Sequence, residues 1–234
     1  MKTRTRMVER LVLFDVDGTL VRGGPAKEAF RVALVETFGT AGAIEGHEFS
    51  GKTDPQIARE LLTGAGLGES EVDRGFPALW RRYLSEMARL LPHRPLHLLP
   101  GVTELLDALE SRGDVALGLL TGNIAPGARL KLGSVGLADR FPVGGFGSDD
   151  EVRDRLPPVA VRRAREHWGV SFAPEAVVVI GDTPRDVACG RSGGHRTVAV
   201  ATGRIPRRVL EQTDAHHLFD DLRGTGPVME AILA

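Results

Sequence analysis

Two carboxylates stand two residues apart in the segment Leu13-Phe14-Asp15-Val16-Asp17-Gly18-Thr19-Leu20. Acids at i and i+2 repel each other unless a cation, a proton or hydrogen-bond donors lie between them, so Asp15 and Asp17 point to a metal ion or a shared proton. They follow the apolar run Leu11 to Phe14, which places them just beyond the carboxyl end of a buried strand, where open α/β sheets bind ligands. Gly18 then permits an abrupt turn.

The elements that must carry these acids are legible as short apolar runs. Leu11–Phe14, Val115–Leu120, Val177–Ile180 and Thr197–Ala201 are continuous rather than alternating, as strands buried on both faces require. Between them the apolar spacing is near that of a helix. Val102, Leu105, Leu106 and Leu109 end at Gly113, and a second helix from about Pro157 to Trp168 carries Ala160, Val161 and Ala164 and ends at Gly169. The alternation predicts an α/β fold with a doubly wound parallel sheet, a Rossmann-like core.

Residues 21–96 break this rhythm, with no buried strand and successive helical patterns, and are read as an inserted α-helical cap, leaving 1–20 and 97–234 as the catalytic core. The first cap helix aligns Phe30, Leu34 and Phe38 and stops at Gly39; the second starts with Asp54 as its cap and Pro55 in its first turn. The third covers roughly Val72 to Leu91, with Gly75 and Pro77 expected to break or restart it.

Asp15-Val16-Asp17-Gly18-Thr19 resembles the first signature of the haloacid dehalogenase-like superfamily of phosphotransferases. Two further signatures follow in order, each after an apolar run: Leu119-Leu120-Thr121-Gly122-Asn123, and Ile180-Gly181-Asp182-Thr183-Pro184-Arg185-Asp186. The resemblance spans the core, and the position of the cap is similar to that in the phosphoglycolate phosphatase and β-phosphoglucomutase branch.

It implies a phosphatase that hydrolyses a small phosphorylated metabolite, with Asp15 attacking phosphorus to form an aspartyl phosphate. Asp17 would protonate the leaving oxygen and then deprotonate the water, and so should titrate near working pH. Thr121, with the backbone around Gly18, Gly122 and Asn123, would hold phosphoryl oxygens. Mg²⁺ would be held by the Asp15 carboxylate, the Asp17 carbonyl and Asp182, while Asp186 orients the metal's waters or the neighbouring cation. An acid two positions after the nucleophile favours phosphate esters over the dehalogenase chemistry. Alternatives are a phosphosugar mutase and a catalytically weak phosphate-binding or regulatory protein.

The third signature of these relatives is a lysine, and here the sequence departs from the pattern, since no lysine follows Lys131. An arginine must take its place. The family's spacing points to Arg155, whereas Arg153 stands beside Asp149, Asp150 and Glu151; both stay open. In the cap, Lys52 of Ser50-Gly51-Lys52-Thr53-Asp54 could meet an anionic leaving group.

Composition narrows the partners. Thirty Lys and Arg against 31 Asp and Glu leave a net charge of −1. No global field therefore attracts nucleic acid or an anionic membrane. The basic N-terminus (Lys2, Arg4, Arg6, Arg10) precedes an apolar run too short for a signal peptide or a span. A single cysteine, Cys189, suits a reducing compartment, and a cytoplasmic enzyme, monomeric or weakly dimeric, is expected.

Overall fold

The computed structural model describes residues 8–234; Lys2, Arg4 and Arg6 of the basic N-terminus lie outside the described residues. The chain opens with strand β1 (Arg10–Phe14) and a short strand β2 (Val21–Gly23). Helices α1 (Ala26–Phe38), α2 (Asp54–Gly64) and α3 (Glu69–Leu90) follow, before strand β3 (Leu96–Leu98). Next come α4 (Val102–Arg112), β4 (Val115–Thr121), α5 (Ala125–Gly133), β5 (Val143–Phe146) and α6 (Leu156–Trp168). The chain ends with β6 (Val177–Gly181), α7 (Pro184–Ser192), β7 (Arg196–Val200), α8 (Arg207–Leu210), β8 (His217–Phe219) and α9 (Thr225–Leu233).

Six strands form one parallel sheet in the order β5-β4-β1-β6-β7-β8. β1 is central, with Phe14 level with Leu119 on one side and Ile180 on the other. The chain winds outward from β1 to β5, then crosses to β6 and winds the other way. The crevice at this reversal opens at the carboxyl ends of β1, β4 and β6.

Both faces are covered, which is why these strands are apolar throughout. Leu11, Leu13, Leu120 and Val179 pack with Leu156, Ala160 and Ala164 of α6; Val12, Phe14, Leu119 and Ile180 join the larger core on the opposite face. Each such fully buried side chain contributes roughly 1.5–3 kcal/mol through removal from water. No helix among the described residues is long and apolar enough to cross a membrane.

The structure corrects several sequence expectations. Residues 21–96 hold no strand buried along its length, but at the two ends of this segment β2 and β3, each with one buried residue of three, pair as an antiparallel ribbon. β5 escapes notice because its run Val143-Gly144-Gly145-Phe146 is half glycine; a Cβ on Gly145 would sit 2.5 Å from the Leu156 carbonyl oxygen, so close approach of α6 demands the glycine. The edge strand β8 has too few apolar residues to signal itself. The cap of α2 is Thr53, whose Oγ1 accepts from the Gln56 amide at 3.2 Å, and this frees Asp54 for another contact.

α3 also runs unbroken through Gly75 and Pro77. Its buried stripe of Val72, Leu79, Tyr83 and Met87 packs on α1 and α2, and Phe30 meets Tyr83 edge to face at 5.3 Å. That burial outweighs the roughly 3 kcal/mol a proline costs inside a helix. Gly75 is there for space, since a Cβ would lie 2.2 Å from Phe38 Cζ. Gly75→Ala should therefore destabilise the protein by about 1–3 kcal/mol in urea denaturation, although alanine is the better helix former. A stabilised variant would show that Phe38 yields freely.

Candidate active site

Asp15 is the first residue past β1, buried, its amide held by the Ile180 carbonyl at 2.9 Å. The chain then turns tightly through Gly18, at φ +90°, where a Cβ would strike the Asp182 carboxylate at 2.3 Å. Thr121 ends β4, and Asp182 follows β6. Parallel pairing of these three strands thus delivers all three side chains to one crevice.

Arg153 comes from a 3₁₀ turn ahead of α6 and is buried. Its Nη2 donates to Asp15 Oδ1 at 3.0 Å and to Asp186 Oδ1, and Nη1 donates to the Gly51 carbonyl at 3.2 Å. Nε has no hydrogen-bond partner among the described residues. Arg155, by contrast, lies outside the site: its side chain is 70% exposed and faces Asp150 at 3.4 Å. Residues two apart on a 3₁₀ turn point roughly 240° apart, so one arginine turns in and the other out.

Asp186 closes a capping box on α7. Its Oδ2 accepts from the Thr183 amide at 2.9 Å and hydroxyl at 2.7 Å, while Oδ1 takes Arg153. Carboxylate oxygens of Asp15, Asp182 and Asp186 lie within 4.8 Å of one another. With both oxygens of Asp186 engaged by protein donors, Asp15 and Asp182 are the members with oxygens to offer. The Asp17 side chain is not part of this trio.

Asp17 belongs to a second cluster. Its Oδ2 accepts from Asn123 Nδ2 at 2.8 Å and from Lys131 Nζ at 2.5 Å, and Lys131 also donates to Asn123 Oδ1 at 2.6 Å. Sequence spacing alone assigns Lys131 no role. Its signal was nonetheless present: with Gly127, Ala128 and Leu132 it falls on the buried face of α5, an unusual place for one of only four lysines.

Lys52 lines the same cavity, but its ammonium is paired with Glu60, which also faces His47 at 3.1 Å. Gly122 lies beneath this segment. A Cβ on Gly122 would be 2.1 Å from the Lys52 carbonyl oxygen, and the Gly122 carbonyl accepts the Asp54 amide at 2.7 Å. Asp54 Oδ2 in turn takes the Ile124 amide at 2.8 Å. Together the strand ends and the α1–α3 helices enclose a cavity of about 380 Å³, with Phe30, Phe49, Ile57 and Tyr83 on the helical side.

The charges in this cavity are strongly coupled. Burial, then the neighbouring Asp186, raises Asp15 to about 7 despite Arg153, and burial with Asp186 and Asp15 raises Asp182 to about 9. Three buried acids share a single guanidinium, so two of them keep their protons far above the ordinary carboxylate range. Asp17 goes the other way. Burial pushes it up, but the Lys131 charge and the hydrogen bonds from Lys131 and Asn123 leave it below its ordinary value, rather than near working pH as the sequence reading expects.

Known proteins place this arrangement in a family. The chain is 32% identical to a phosphoglycolate phosphatase of Synechococcus elongatus, over 85% of this chain and 87% of that one. It is 31% identical to an N-acetylmuramic acid 6-phosphate phosphatase of Pseudomonas putida, over 84% of each. The fold matches the crystal structure of a hydrolase from Pseudomonas syringae with a TM-score of 0.70 at 19% identity, over 96% of this chain and 99% of that one. Residues 9–194 match the model of the haloacid dehalogenase-like hydrolases, and the chain belongs to that family.

Proposed function

We propose that the protein is a magnesium-dependent phosphatase that hydrolyses a small phosphorylated metabolite through an aspartyl phosphate on Asp15. The observation that carries this reading is the pairing of Asp15 with Arg153 on the floor of the cavity, with Asp17 held separately by Lys131 and Asn123.

A hard divalent cation fits the residues present, because Asp15 and Asp182 offer clustered carboxylate oxygens whose protons it can displace. When bound, it neutralises phosphate charge and so lets a carboxylate approach phosphorus. The chain supplies the rest. Arg153 orients the phosphoryl group and balances charge on its oxygens. Thr121 Oγ1 already accepts from Asn123 Nδ2 at 2.8 Å, so its hydroxyl hydrogen is available to a phosphoryl oxygen. Asp15 forms a bond to phosphorus as the ester P–O bond breaks, and the leaving oxygen takes a proton from Asp17, which is protonated in the ester complex, where the negative phosphate offsets the charge of Lys131. Asp17 then accepts a proton from the water that cleaves the acyl phosphate, which regenerates Asp15 and releases inorganic phosphate. The α1–α3 helices act as the cap that keeps bulk water away until the ester is bound.

Two relatives, a phosphoglycolate phosphatase and an N-acetylmuramic acid 6-phosphate phosphatase, suggest the first substrates to try: phosphoglycolate and N-acetylmuramic acid 6-phosphate. Release of inorganic phosphate from either, abolished by chelator and restored by Mg²⁺, is the expected result. Isomerised sugar phosphate without free phosphate would instead indicate a mutase.

Metal binding should also be pH-dependent in a definite direction. Asp15 and Asp182 hold protons in the folded protein up to about 7 and about 9, above their ordinary value of 3.8. Between these limits the metal-free folded state binds more protons than the unfolded one, so its stability falls as pH rises. A cation replaces those protons, and its stabilisation grows over the same window. Thermal melts with Mg²⁺ and with chelator should show a larger Mg²⁺-induced rise in Tm at pH 8.5 than at pH 6. Equal shifts would remove Asp15 and Asp182 from the metal site.

A further inference from the structure

Asp17, which carries the proton transfers, is gripped by Lys131 and Asn123. We infer that Lys131 is a positioning residue for this reaction, one that fixes Asp17 and Asn123 before substrate arrives; the inference rests on the reading of Asp17 as the proton-transfer group.

Lys131 is the deeper partner of the pair, its side chain 4% exposed against 46% for that of Asp17. A buried ammonium needs acceptors, and Lys131 has two, Asp17 Oδ2 at 2.5 Å and Asn123 Oδ1 at 2.6 Å. The contact is therefore set by folding rather than by ligand.

Its consequences spread through Asn123. An ammonium can only donate, so it holds the amide oxygen of Asn123 toward itself and turns the NH₂ group the other way. Asn123 Nδ2 then donates to Asp17 Oδ2 at 2.8 Å and to Thr121 Oγ1 at 2.8 Å. One cation thereby sets the direction of every hydrogen bond in the cluster.

Both donors reach Asp17 through Oδ2, which leaves Oδ1 without a hydrogen bond among the described residues and available for proton exchange. Without Lys131 the amide is free to flip, and Asp17 loses one of the two donors that fix Oδ2. The site thus divides its cations: Arg153 serves Asp15 and Asp186, and Lys131 serves Asp17. α5 anchors the second cation through its buried face, where Ala128 and Leu132 flank it.

The test compares esters that do and do not need a proton on departure. p-Nitrophenolate leaves unaided, whereas the alkoxide of β-glycerophosphate must be protonated. kcat/KM covers steps up to loss of the leaving group, so the later attack of water does not enter it. With saturating Mg²⁺, Lys131→Met should lower kcat/KM for β-glycerophosphate about 100-fold and for p-nitrophenyl phosphate less than about tenfold, general-acid assistance being worth on the order of 10²–10⁴. A pre-steady-state burst of p-nitrophenolate should appear, because water attack also loses its oriented base.

Asp17→Asn is the control for the underlying reading. If it shows no split between the two esters, Asp17 is not the proton donor. If it shows the split and Lys131→Met lowers both esters alike, or neither, Lys131 is only structural and the inference fails. Should Lys131→Met not fold, as judged by circular dichroism, Lys131→Gln carries the same comparison. Its amide can still donate to Asp17, but it no longer compels the orientation of Asn123, so a smaller split in the same sense is expected.

Discussion

Asp15→Asn should abolish turnover, with kcat lowered on the order of 10⁴-fold or more, while leaving the metal-free protein at least as stable as the wild type. The first effect follows because an amide cannot serve as the nucleophile. The second follows from the cost of the native carboxylate. Asp15 is buried beside Asp186 and raised to about 7, so above that pH the folded protein carries a charge that burial and a like-charged neighbour both oppose. Asparagine removes that charge and keeps an oxygen that can accept the Arg153 Nη2 hydrogen bond now made at 3.0 Å.

The pH dependence sharpens the expectation. An acid raised in the folded state above its ordinary 3.8 stabilises the fold least at high pH, so the advantage of Asp15→Asn should grow as pH rises from that value to about 7 and level off above it. Urea midpoints at pH 5.5 and 8.5, in chelator, measure it. Retained phosphatase activity would remove Asp15 from the nucleophile's role. A variant equally destabilised at both pH values would mean that the hydrogen-bond geometry at Asp15, rather than its charge, governs stability there.

Arg153→Met should destabilise the protein by about 3–5 kcal/mol, the usual cost of stripping one partner from a buried ion pair. Asp186 suffers most, since its Oδ1 faces Arg153 and its Oδ2 is committed to the Thr183 cap of α7. The loss should deepen with pH, because unpaired buried acids hold their protons only at low pH. Arg153→Lys is expected to recover most of the stability and much less of the function, with kcat/KM still down roughly tenfold, since a compact ammonium lacks the guanidinium's fork. Both terminal nitrogens of the fork are used: one reaches Asp15 and Asp186 on the core, and the other reaches the Gly51 carbonyl at 3.2 Å in the segment leading into α2. Urea denaturation and steady-state kinetics on p-nitrophenyl phosphate check both statements. A Met variant as stable as the wild type would show that the acids, by taking up protons, can dispense with the cation.

The fold was legible where a local pattern coincided with a global demand. Leu11–Phe14, Val115–Leu120 and Val177–Ile180 are apolar at every position because each is buried on both faces in the parallel sheet, and α4 and α6 end at Gly113 and Gly169, which adopt the left-handed conformation at φ +70° and +68°. The misses share one physical origin. Gly144 and Gly145 in β5, and Gly75 and Pro77 in α3, read as breakers from their own backbone preferences, yet neighbouring elements impose the strand and the helix. Propensities worth about 1–3 kcal/mol yield to packing of several buried side chains.

The candidate site divides along the same line. Asp15, Thr121 and Asp182 announce themselves because each sits directly after an apolar strand, and adjacency in the chain places them at the rim of the sheet. The order of residues thus settles the central strands, the parallel sheet that they imply and the acids at its edge. It does not settle which cation joins them. Arg153 and Arg155 are chemically identical and two residues apart; only the way the 3₁₀ turn docks between α6 and the sheet buries one and exposes the other. Lys131 lies 114 positions from Asp17, and contact between them exists only because β4 and α5 fold back beside β1. Short-range spacing records what a residue can do, whereas charge pairing inside a cavity depends on long-range proximity and burial, and these come into being with the tertiary structure.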